Sequence, residues 1–200
     1  MNSTCVKTTI SYYEQNAERY VQDTVSVSFS DVQEKFLSCL NPGAYILDFG
    51  CGSGRDTKYF LDKGFRVDAL DGSKRLCEMA RELTGIDVQN KLFSELDALE
   101  KYDGIWACSS ILHLPSIELK DVMIKMLRAL KQGGYIYTSF KYGEFEGERN
   151  GRFFHNFTQE SFRAFIEDLA EIQIVEEWIS SDVRPGRGEE RWLNLILKKE

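Results

Sequence analysis

The sequence predicts an α/β protein: a doubly wound, mostly parallel seven-stranded sheet, with an antiparallel strand near one end and helices on both faces. Three observations lead there. Short unalternated apolar runs, AYILDF at 44–49, GIWAC at 104–108 and YIYTSF at 135–140, fit strands buried on both faces of a parallel sheet. Segments of helical spacing separate such runs, which is the rhythm of βαβ units. The last two apolar runs, 172–179 and 192–198, have no crossover helix between them, and a close strand–loop–strand connection is antiparallel.

Residues 8–24 form the first helical segment, rich in tyrosine at Tyr12, Tyr13 and Tyr20. A second helix begins at Ser30, where Ser30-Asp31-Val32-Gln33 fits a capping box and Val32, Phe36, Leu37 and Leu40 recur at helical spacing. The strand at 44–49 follows. A helix at 55–63 is stopped by Gly64, and a second strand spans 65–70. Ser73 is the expected N-cap of a helix to residue 83. Strands at 87–93 and 104–108 come next. A helix at 116–130 is ended by Gly133-Gly134, and a strand spans 135–140. Thr158 caps a helix to about residue 169, and the two final strands close the chain. The three prolines, 42, 115 and 185, all fall between elements, where a missing N–H does little harm.

Two hundred residues correspond to one domain, 1–200, with 8–24 as a candidate helical lid. A formal net charge of −7 argues against a nucleic-acid partner, whose footprint is a basic face. Five cysteines without a CxxC pair, and only two histidines, read as reduced thiols and not as a disulfide framework or metal site. The first residues lack the apolar core of a signal peptide, and no apolar run reaches membrane-spanning length. The expectation is a cytoplasmic protein without a membrane partner.

The strongest motif is Asp48-Phe49-Gly50-Cys51-Gly52-Ser53-Gly54-Arg55, between the first strand and a helix. Glycines there allow a sharp turn and let backbone N–H groups approach a ligand, at the strand end where open α/β sheets bind ligands. A dinucleotide fingerprint counted from Gly50 needs its third glycine at position 55, which is arginine. Asp71 lies 21 residues beyond Gly50, at the end of the second strand, where its carboxylate can accept two ribose hydroxyls. Each such charge-assisted bond contributes about 1.5–3 kcal/mol.

The pattern DFGCGSGRDT (48–57) resembles motif I of the class I S-adenosylmethionine (SAM)-dependent methyltransferases. VDALDGS (67–73), YDGIWACSSILHLP (102–115) and LRALKQGGYIYTSF (127–140) are similar to further segments of that family. In general texture the chain looks most like small bacterial methyltransferases related to tellurite-resistance enzymes. The resemblance implies SAM as cofactor and S-adenosylhomocysteine (SAH) as product. It implies that Asp48, Gly50, Cys51 and Gly52 hold the methionine part, and Asp71 the ribose. Gly72 and Ser73 would border adenine, with Phe93, Ser94 and Glu95 flanking it. Cys108 and Ser109 would lie near the sulfonium, and Tyr13 and Tyr20 would fold over the cofactor. The same tyrosines could instead simply pack their helix onto the sheet.

His113, just past the fourth strand, is the candidate general base. The alternative is a histidine satisfied locally, and His155 among Phe153, Phe154 and Phe157 reads the same way. The tail carries Asp182, Arg184, Arg187 and Arg191, and another loop carries Lys141, Arg149 and Arg152. Arg152, Arg184 and Arg187 are the candidate substrate-binding residues, suited to a carboxylate, phosphate or other oxyanion. The alternative is solvated charge offset by Glu189 and Glu190. The expected reaction is in-line methyl transfer to a small-molecule acceptor through oxygen, nitrogen, sulfur or a metalloid. A SAM-binding regulator without catalysis, and an NAD(P)-dependent oxidoreductase, are the competing readings.

Overall fold

Tyr45–Phe49 (β1) is an interior strand, buried on both faces of the sheet. Ile46 packs on one side with Phe36, Phe60, Trp106 and Tyr137, while Leu47 and Phe49 pack on the other with Leu119 and Met123. The computed structural model describes residues 4–169, 171–184 and 186–200. Pro185 therefore lies outside the described residues.

The strands after β1 are β2 (Arg66–Asp71), β3 (Val88–Asn90), β4 (Tyr102–Ala107), β5 (Leu130–Lys141), β6 (Glu146–Arg149), β7 (Arg152–His155), β8 (Ile172–Ser181) and β9 (Arg191–Lys199). Seven of them form one sheet in the order β3-β2-β1-β4-β5-β9-β8. β9 runs antiparallel to both β5 and β8, and every other neighbouring pair in this sheet is parallel. The doubly wound sheet and its antiparallel strand one place in from the edge are as the sequence predicts. From β1 the chain moves outward through β2 and β3, then returns to β4 on β1's other side. That reversal opens a crevice at the carboxyl ends of β1 and β4, where such sheets bind ligands.

The helices are α1 (Thr4–Gln15), α2 (Ala17–Thr24), α3 (Ser30–Leu37), α4 (Arg55–Asp62), α5 (Lys74–Thr84), α6 (Ser116–Ala129) and α7 (Gln159–Ile166). The caps at Ser73 and Thr158 form, accepting from the N–H groups of Leu76 and Ser161. Trp106 stacks on Tyr137 at 4.1 Å beneath α3 and α4, while α6 and α7 cover the opposite face.

Four expectations change. The segment 8–24 is two helices, broken at Asn16, whose side chain donates to the Tyr12 carbonyl at 2.8 Å in competition with the helical ladder. No capping box forms at Ser30, because the residue preceding the helix is Phe29 and no side chain caps it. α6 ends at Ala129: Leu130 is already extended and pairs with Tyr102, so Gly133-Gly134 lie within β5, in the register shift before Gly104 pairs with Tyr135. A hairpin of β6 and β7 replaces the loop expected there, and its strands carry only four residues each around Asn150-Gly151.

Candidate functional site

The loop after β1 is held open by its backbone. Gly50 (φ +87°) and Gly52 (φ +54°) lie in the left-handed region. A Cβ at Gly50 would come within 2.5 Å of Ser110 Cβ and 3.0 Å of the Phe93 ring, and one at Gly52 within 2.9 Å of the Tyr20 ring. The neighbours close on bare backbone at both places.

At the end of β2, one Asp71 oxygen accepts the Gly52 N–H at 3.0 Å and the other accepts the Ser73 N–H at 2.8 Å. Each carboxylate oxygen retains a second acceptor site, so two further donors can be taken. Burial pushes Asp71 up to about 6, against the opposing pull of the two N–H donors.

Beside this carboxylate lies a cavity of about 230 Å³, lined by Gly50, Gly52, Asp71, Gly72, Ser73, Phe93, Ser94 and Ser109. Ile10, Leu76 and Leu92 give it apolar walls. A second cavity of about 130 Å³ adjoins it, lined by Cys51, Cys108, Arg152, Arg184 and Arg187. Tyr13, Tyr20, Gly50, Ser109 and His113 face both chambers. Gly-rich backbone, an acceptor-rich carboxylate and an apolar slot fit an adenosyl group. Asp71 would take the ribose hydroxyls, with Phe93 and Leu92 against the base.

Two expected site residues lie outside both cavities. Asp48 is buried beneath the loop, and its Oδ2 accepts the Thr57 hydroxyl at 2.6 Å. Burial, and the charge of nearby Asp56, hold its carboxyl well above the usual range. Through Thr57 it ties the end of β1 to α4. Glu95 turns back on its own helical turn, where Oε2 accepts the Leu92 N–H at 2.7 Å.

His113 is buried, and both its ring nitrogens are engaged within the protein. Nδ1 donates to the Phe153 carbonyl at 2.6 Å; because that carbonyl can only accept, Nε2 is the acceptor for the Tyr13 hydroxyl at 2.9 Å. Burial, with the nearby charges of Arg152 and Lys141, pushes His113 down to about 4. With its acceptor nitrogen occupied by the Tyr13 hydroxyl, the ring favours the local-satisfaction reading over the general base. His155 lies tilted against Phe157, ring centroids 4.1 Å apart, outside both cavities.

The three candidate arginines have different fates. Arg184 is bound by Asp182, with Nε at 2.9 Å from Oδ1 and a second, shorter contact from Nη2 to Oδ2. Arg187 is 3.8 Å from Glu190. Arg152, on β7, meets no carboxylate among the described residues; its guanidinium lies over the rings of Tyr12 and Phe154.

Sequence reasoning missed three contributors. Ile10 lies one turn before Tyr13 on α1 and packs against Gly72, where a Cβ would meet it at 3.2 Å. Asp56 accepts from Gln33 at 2.7 Å, Arg55 at 2.7 and 3.0 Å, and Trp106 at 2.8 Å. Phe154 reaches the second cavity from β7. Helical spacing from Tyr13 could have found Ile10, whereas the others depend on pairing across the fold.

Residues 46–134 match the family described as a methyltransferase domain. A 2-methyl-6-phytyl-1,4-hydroquinone methyltransferase of Synechocystis is 31% identical over 128 residues, covering 60% of this chain and 39% of that protein. An uncharacterized protein of Methanocaldococcus jannaschii is 30% identical over 152 residues, covering 68% of this chain and 40% of that one. The chain thus spans about two fifths of the length of these curated relatives. The solved structure of a Burkholderia thailandensis 1,6-didemethyltoxoflavin-N1-methyltransferase, with bound 1,6-didemethyltoxoflavin and SAH, shares the fold. Its TM-score is 0.79 at 22% identity, covering 97% of this chain and 88% of that one.

Proposed function

We propose that this chain is a class I SAM-dependent methyltransferase and transfers the methyl group of SAM to a small-molecule acceptor. The observation that carries the reading is Asp71, held by the Gly52 and Ser73 N–H groups with acceptor capacity to spare, beside an apolar slot at the topological switch point.

Bound SAM supplies an electrophilic methyl group on a sulfonium, with a neutral thioether as leaving group. The protein's work is orientation, which in favourable cases lowers a barrier by about 7–11 kcal/mol. Asp71 holds the ribose, and Gly50 and Gly52 let the backbone approach. Tyr13 and Tyr20, meeting edge to face at 5.3 Å, cover the junction of the two chambers. The second cavity receives the acceptor. His113 is a positioning residue: it fixes the Tyr13 hydroxyl in the wall between the chambers.

α1 is tied down as a cover would be. Its Thr9 hydroxyl accepts the Phe153 N–H at 3.0 Å, and its Glu14 carboxylate accepts from the Ser73 hydroxyl at 2.7 Å. Among the described residues no helix is long and apolar enough to cross a membrane.

Calorimetric titration with SAM, SAH, NAD and NADP in parallel tests the reading. Binding of the two adenosyl compounds alone is expected, and SAH release on turnover separates an enzyme from a SAM-binding regulator. Binding of a nicotinamide dinucleotide instead would overturn it.

A further inference from the structure

The second cavity is lined by five cations: Arg55, Lys141, Arg152, Arg184 and Arg187. Four of them are matched. Arg55 is held by Asp56, Lys141 by Glu190, Arg184 by Asp182, and Arg187 lies 3.8 Å from Glu190. Their partners are three carboxylates, so the cavity wall carries an excess of positive charge.

Arg152 holds that excess in a particular way. Its guanidinium carbon is 4.5 Å from the Tyr12 ring centroid, 5.0 Å from Phe154 and 5.8 Å from Tyr13. Aromatic faces favour the charge but accept none of the in-plane N–H bonds that a guanidinium offers. One N–H makes a long bond of 3.4 Å to the Tyr13 hydroxyl, and the buried Nε has no partner. An unpartnered buried donor is unfavourable in the free protein and calls for an explanation. A ligand acceptor supplies one, and a planar fork of donors suits a carboxylate or phosphate.

We propose that the methyl acceptor carries an oxyanion, a carboxylate or phosphate, that docks on Arg152 in the second cavity. The proposal rests on the methyltransferase reading of this site and narrows it: neutral and cationic acceptors are disfavoured. The methionyl carboxylate of the cofactor has the same chemistry, so the test must separate the two sources.

The protein saturated with SAH is titrated calorimetrically with benzoate, phenyl phosphate and neutral benzamide, in wild type, Arg152→Gln and Arg152→Lys. Circular dichroism checks that each variant is folded. The expected result is binding of at least one anion to wild type in preference to benzamide. Arg152→Gln should weaken it by about tenfold or more. Arg152→Lys, which keeps the charge without the fork, should fall between them. SAH affinity should stay within about twofold. Anions that bind no better than benzamide, or equally well to Arg152→Gln, overturn the proposal. Loss of SAH binding in Arg152→Gln with anion binding unchanged assigns Arg152 to the cofactor and also overturns it. Failure of wild type to bind SAH defeats the cofactor reading itself, and this inference falls with it.

Discussion

Tyr13 and His113, one hundred residues apart in the chain, are joined by a hydrogen bond of 2.9 Å in the wall between the two cavities. The Phe153 carbonyl fixes the imidazole tautomer from the other side, at 2.6 Å. Three segments distant in sequence, α1, the turn after β4 and β7, are thereby locked together over the site. Tyr13→Phe leaves Nε2 buried without a donor and should cost about 1–3 kcal/mol of stability by urea unfolding.

His113 should stay neutral down to about pH 4, where an exposed histidine titrates near 6.5. In that interval the unfolded chain binds the proton first. The stability this residue contributes is therefore full above 6.5 and is lost as pH falls toward 4. Nitrogen-detected NMR on a protein with only two histidines reads both tautomer and titration directly. Titration of His113 near 6.5 would show that the ring is not enclosed as described.

Asp71→Ala should weaken SAM binding by about 2–3 kcal/mol while leaving the fold nearly intact, as measured by calorimetry and circular dichroism. Unchanged affinity would mean that the ribose site is misassigned. The raised Asp71 value of about 6, against an ordinary 3.8, has two consequences of opposite sign. Between those values the folded protein holds a proton the unfolded chain has released, so this group's contribution to stability rises as pH falls through 6. Ribose hydroxyls prefer the charged carboxylate, so SAM affinity should drop by up to about tenfold between about pH 7.5 and about pH 5.

Asp56 collects four donor contacts from Gln33, Arg55 and Trp106 in a buried position. Asp56→Ala strands a guanidinium without its counter-charge and should cost about 3–5 kcal/mol in equilibrium unfolding. Asp56→Asn keeps one acceptor and should cost less.

Gly50→Ala combines a positive φ with a Cβ placed 2.5 Å from Ser110, whereas Gly43→Ala, also at positive φ, meets nothing within 4 Å. Strain alone costs about 1–3 kcal/mol, so both should lose stability, but only Gly50→Ala should also lose SAM binding. Equal affinity in the two variants would remove the glycine loop from the cofactor site.

The sheet, its antiparallel strand, the Ser73 and Thr158 caps, and the place of Asp71 at the end of the second strand were all legible in the sequence. Each is a property of consecutive residues: apolar runs set strand burial, and a hydroxyl before a helix caps it. An acid two residues before such a cap lies at the mouth of the sheet. The break at Asn16 and the start of β5 at Leu130 were not legible, because a side chain competing for a carbonyl and a strand pairing through two glycines override local propensity. The burial of Asp48 under its own loop, the enclosure of His113 and the separation of Arg152 from Arg184 came only from the tertiary structure. A charge or a ring nitrogen is free or satisfied according to what the fold brings against it. Here Asp182 reaches Arg184, Tyr13 reaches His113, and no carboxylate among the described residues reaches Arg152.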